Sequence, residues 1–176
     1  MKNLYLILFC FLPLLSCSQN KKSDTVPSVK EANLPAEKMF TTLKFESDGK
    51  PCLAFINNRY KNFKDKDLFT LSLFIMVNTT DKDPDGHPTE KEAAIFNKLQ
   101  TEILLGMGKA LGNFCHVGTT TMTGYRDILL YINEKDQEKA AGVLNRIKSA
   151  NTRIIAYTFE SDKNWEAVVA FDEAIE

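Results

Sequence analysis

The chain has 176 residues, with 22 basic and 23 acidic side chains and a formal net charge of −1. That length suits one domain once processing is allowed for, and the near balance of charge gives no global electrostatic claim on nucleic acid. A basic and aromatic stretch at Arg59–Lys66 is interrupted by Asp65 and reads as a solvated connector, not as a nucleic-acid patch.

In chain order, Lys2 supplies a positive charge and Leu4–Leu15 an apolar run of twelve residues. The run is too short to span a bilayer as a helix and suits the hydrophobic region of a signal peptide. Leu14-Leu15-Ser16-Cys17 resembles the lipobox of bacterial lipoproteins. The resemblance implies a signal peptide at 1–16, cleavage before Cys17, a diacylglycerol on its thiol and an acylated amine. Such chains make a durable membrane anchor, because each buried methylene contributes ~0.8 kcal/mol. By the same resemblance, Ser18 implies sorting to the outer membrane, and Gln19–Lys22, which lacks an acidic run, implies a periplasmic face. Residues 17–38 are then the lipidated cysteine and a polar tether carrying Pro27 and Pro35, with a reach of ~25 Å.

Processing removes Cys10 and lipid occupies Cys17, leaving Cys52 and Cys115 as thiols. In an oxidising compartment these two are a possible disulfide; each also falls in an apolar strand pattern, where a reduced cysteine is a common small hydrophobe. Zinc is disfavoured. Cys115 and His116 are adjacent in a predicted strand and should face opposite ways, and no C-x-x-C or H-x-x-x-H spacing occurs.

From residue 39 to 176 the patterns describe a single domain. Phe40–Glu46 and Pro51–Asn57 flank Asp48-Gly49, a hairpin signal. Leu68–Val77 is nearly continuous and apolar, as a strand covered on both faces would be. From Thr89 the period changes to three and four through Phe96, Leu99, Ile103, Met107 and Ala110, which predicts an amphipathic helix ending at Gly112. Strands are predicted at Phe114–Met122 and Tyr125–Ile132, a helix at Glu134–Ser149 and a strand at Thr152–Phe159. A short helix or extended tail surrounds Trp165 and Phe171, with Trp165 read as a core plug. The succession from Leu68 is βαββαβ. We therefore expect an α+β, ferredoxin-like two-layer sandwich with an added N-terminal β-hairpin.

The segment Asp81–Glu92 carries the one metal-like motif. Asp81, Asp83, Asp85, Gly86 and Glu92 match the calcium pattern D-x-D-x-D-G-x5-E, so Ca²⁺ is an alternative ligand. The competing reading is a helix start, with Thr89 as N-cap and Glu92 reaching back to it in a capping box. A strand precedes the loop, and Pro84 and Pro88 stiffen it, which favours the helix start.

The hairpin FTTLKFESDGKPCLAFIN, the loop DPDGHP leading into EKEAAIFNKLQTEILLGM, the hairpin FCHVGTTTMTGYRDILLYI, and DKNW with its following FDE resemble the domain of unknown function 695 family over residues 39–173. Family members look ferredoxin-like and are sometimes fused to domains similar to regulator of ribonuclease E activity B, an inhibitory binding protein. The resemblance transfers no catalytic residue.

No G-x-S-x-G and no Gly-rich phosphate loop occurs, so the expected function is a non-enzymatic protein-binding or accessory module held at the envelope membrane by lipid, with a protein partner and no nucleic acid. It would use an open sheet face or an exposed strand edge. The alternative is a hydrolase-type or calcium-binding protein using His116 or the Asp81–Glu92 loop.

Overall fold

A computed structural model describes residues 39–175. The expected signal peptide at 1–16, the expected lipidation site Cys17 and the expected tether to residue 38 lie outside the described residues. Six strands form one antiparallel sheet in the order β1-β2-β4-β5-β3-β6. They are β1 (Phe40–Ser47), β2 (Lys50–Asn57), β3 (Leu71–Asn78), β4 (Cys115–Met122), β5 (Tyr125–Ile132) and β6 (Ile154–Ser161). Three helices accompany them: α1 (Glu90–Leu111), α2 (Gln137–Ala150) and α3 (Glu166–Ala174).

The N-terminal hairpin forms as its Asp-Gly pair predicts. Asp48 and Gly49 both take positive φ, 53° and 72°, the two-residue turn whose twist matches that of the strands it joins. β2 then pairs with β4, so the hairpin extends the sheet. β3 lies between β5 and β6, an interior position that accounts for its apolar sequence. It begins three residues later than the pattern suggested, because Lys66–Leu68 forms a 3-10 turn.

One sheet face packs against α1 and α2. Leu73, Ile75, Ile128 and Leu130 meet Phe96, Leu99, Ile103, Leu144 and Ile147 there. Gly106 makes the helix pair possible, since a Cβ at that position would lie 2.8 Å from Val143 Cγ1. A glycine that weakens the helix by propensity thus serves its packing.

The opposite face is not bare. α3 and residues 58–69 cover part of it with Tyr60, Phe63, Phe69, Trp165 and Val168, packed on Val117, Leu129 and Tyr131. A partial third layer replaces the expected two-layer arrangement. The Arg59–Lys66 stretch is therefore no solvated connector: its aromatic residues Tyr60 and Phe63 are buried, while Asn62 and the charged positions reach water. Trp165 is fully buried, stacked on Tyr131 at 4.0 Å, and donates from Nε1 to the Phe69 carbonyl at 2.9 Å. It is the plug of this second core. Among the described residues, no helix is long and apolar enough to cross a membrane.

Candidate functional site

The third layer stops short. Beyond α3, the same sheet face carries a cleft of about 270 Å³ lined by Phe45, Ile56, Phe74, Asp127, Leu129 and Phe171, among others. Strand alternation builds it. Tyr125, Asp127, Leu129 and Tyr131 share one side of β5, and the register brings Thr120 of β4 and Met76 of β3 opposite Asp127. α3 supplies Ala167 and Phe171 as the outer wall.

Asp127 is the single ionisable residue in this lining. Its side chain accepts one long hydrogen bond, 3.5 Å from Thr120 Oγ1. Burial pushes its carboxyl above the usual range, against the weaker pull of the Thr120 hydroxyl. Its chain neighbour Arg126 points to the other face, where its guanidinium lies 4.3 Å from the centre of the Phe96 ring.

The helix α3 that walls the cleft is fixed at its start by Asp162. Oδ1 accepts from the Glu166 N–H at 2.8 Å, and Oδ2 accepts from the Ala167 N–H at 3.0 Å and the Tyr131 hydroxyl at 2.6 Å. Burial pushes this carboxyl up, but the Tyr131 and backbone donors together hold it below its ordinary value.

The Asp81–Glu92 segment is a different kind of place. Its carboxylates do not converge. Asp81 Oδ2 accepts from the Thr89 hydroxyl, and Asp83 Oδ1 accepts from the His87 N–H. Glu92 is buried and turned away, accepting from Arg153 Nε at 3.1 Å and Nη2 at 2.9 Å, and from the Thr80 N–H at 2.9 Å. Among the described residues, no group of three His, Cys, Asp or Glu side chains could hold a metal ion. The motif Asp81, Asp83, Asp85, Glu92 is spelled in the sequence and dispersed in space. The capping box is only half made: the Glu92 N–H donates to Thr89 Oγ1 at 3.3 Å, while the Thr89 N–H goes to the Asp81 carbonyl and not to Glu92. The loop docks instead on the β4–β5 turn, through a Gly124 N–H to Gly86 carbonyl bond of 2.9 Å.

Cys52 and Cys115 are not brought together. Leu53 pairs with Thr121, which puts Cys52 about seven residues from Cys115 along β4. At ~3.3 Å per residue that is roughly 23 Å, against the ~7 Å limit for a disulfide. Both are buried and no disulfide joins them. The possible disulfide fails because the strands carrying them are paired in a register that separates them.

His116 sits at the far end of β4 from that loop, on the helix side of the sheet opposite Leu130, with Phe40 6.4 Å away. Its Nε2 is buried without a hydrogen-bond partner, and burial lowers its pKa to about 4. Cys115 takes the opposite face, as strand alternation predicts.

Residues 41–171 match the family of unknown function DUF695. The chain belongs to that family. No curated protein matches the chain. The matched residues include every residue that lines the cleft. Sequence reading missed it. No local motif marks Asp127, and the signal that could have singled it out is the pattern Tyr125, Asp127, Leu129, Tyr131, a carboxylate within an otherwise apolar strand face.

Proposed function

We propose that the chain is a lipid-anchored lipoprotein of the bacterial envelope, held in the outer membrane by Cys17 and facing the periplasm. Its DUF695 domain is a non-enzymatic protein-binding or accessory module. The β4-β5-β3-β6 order, with α1 and α2 on one face, favours a ferredoxin-like core extended by the β1–β2 hairpin. The observation that carries the binding reading is the half-covered second face, where α3 leaves an apolar cleft open beside the sheet. Clefts of this make-up on a small domain are preferred contact sites.

The test joins anchor and surface. A photo-reactive residue is placed at Met122 or Phe171 on the cleft, or at Lys139 on the exposed side of α2, in cells fed a palmitate analogue. The expected result is an envelope-fraction protein labelled at Cys17 that gives a discrete crosslink from the cleft positions only. Crosslinks equal at all three positions would overturn the binding surface. A soluble, unlabelled chain would overturn the anchor.

A further inference from the structure

We propose that the cleft beside α3 binds a small organic ammonium ion, with its charged head on Asp127 and its apolar body among Phe45, Phe74 and Phe171. This rests on reading the cleft as a binding surface, and it is independent of the lipid anchor.

The argument starts from what the cleft lacks. A half-buried carboxylate normally has a cation or several donors. Asp127 has one 3.5 Å hydroxyl contact, and among the described residues no lysine, arginine or histidine lies within ion-pair distance of it. The remaining lining is aromatic, aliphatic, methionine, glycine or threonine.

An anion would meet the carboxylate unscreened. A neutral apolar molecule would desolvate it without a partner. Hard divalent cations need six or more oxygens, which one carboxylate and the threonine hydroxyls do not supply. An organic ammonium ion meets both demands at once. Its N–H groups donate to the carboxylate, and its apolar body replaces water against the rings, where cation–π attraction adds to the contact. The size agrees: an apolar cavity of about 150 Å³ admits benzene, and this cleft measures about 270 Å³. One ring with a short ammonium arm fits. The raised Asp127 pKa fits as well, since a bound cation would reverse the penalty that burial imposes on the charged form.

The experiment is calorimetric titration of the full chain in non-ionic detergent at neutral pH, against a micelle blank. The probes are benzylammonium, benzyl alcohol and benzoate. Benzylammonium should bind, benzyl alcohol at least tenfold more weakly, and benzoate not at all. Asp127→Asn should weaken benzylammonium at least tenfold and leave benzyl alcohol unchanged. If that variant does not fold, Ala167→Met, which narrows the cleft and keeps the carboxylate, should abolish benzylammonium binding in its place. The proposal fails if benzylammonium gives no heat above the blank, if the alcohol binds as well as the amine, or if the cleft variant that folds binds like the parent. Failure here with cleft crosslinks retained would leave the protein-binding reading standing.

Discussion

Two ionisable side chains show how an environment assigns work that a motif cannot. Glu92 completes a calcium pattern on paper, but its carboxylate is 3% exposed and committed to Arg153 and the Thr80 N–H. The Arg153 hydrogen bonds hold its carboxyl below the usual range, so the stability it contributes is present above about pH 4.5 and is lost as pH falls through its lower folded value. Glu92→Ala leaves a guanidinium and a backbone donor without their acceptor. A loss of about 3 kcal/mol in urea unfolding is expected, and added calcium should not restore it. His116 is lowered as well, but by burial and not by a partner. Its unfolded form takes up a proton near pH 6.5, while the folded form resists until about 4. The unfolded chain therefore binds more protons across that window, and stability falls as pH drops from 6.5 to 4. His116→Leu removes the orphaned Nε2, so its unfolding free energy should decline less steeply than the parent's between those values. Parallel pH curves for the two proteins would contradict the assignment.

At the scale of elements, α3 is the decisive addition. It has nine residues, too few to persist alone, and it is held by Asp162 at its start and by Trp165 and Val168 underneath. Trp165 itself takes a left-handed backbone, φ 59° and ψ 38°, which turns the chain from β6 into the helix and drops the indole onto Tyr131. Asp162→Ala removes two helix-start acceptors and strands the Tyr131 hydroxyl. We expect a cost of about 2 kcal/mol. Because Trp165 is the chain's single tryptophan, the same variant should show red-shifted, more quenchable fluorescence as α3 loosens. An unchanged emission spectrum would mean that packing alone holds the helix.

For the molecule as a whole, the two sheet faces differ in how they were written. The face under α1 and α2 was legible. Phe96, Leu99, Ile103 and Met107 recur at helical spacing, as do Ala140, Val143, Leu144 and Ile147, and all are buried. The second face was not, because it is covered by segments without regular period. Tyr60 and Phe63 sit in a charged stretch that looked solvated, yet they close on Trp165, about a hundred residues later, at 5.9 and 5.8 Å. Likewise nothing local places Asp127 in a cleft. Its position depends on β3, β4 and β2 all lying beside β5 or one strand further on, and on α3 stopping where it does.

The sequence by itself determined the elements: the Asp-Gly hairpin, the buried central strand, two amphipathic helices and the succession that joins them. Those follow from spacings of two to four residues, within which backbone sterics and side-chain direction act. Only the tertiary structure decided which carboxylates meet, which cysteines stay apart and where the sheet remains open. Such outcomes depend on strand order and register, and these are set by burial summed over the whole sheet, which no short window of residues contains.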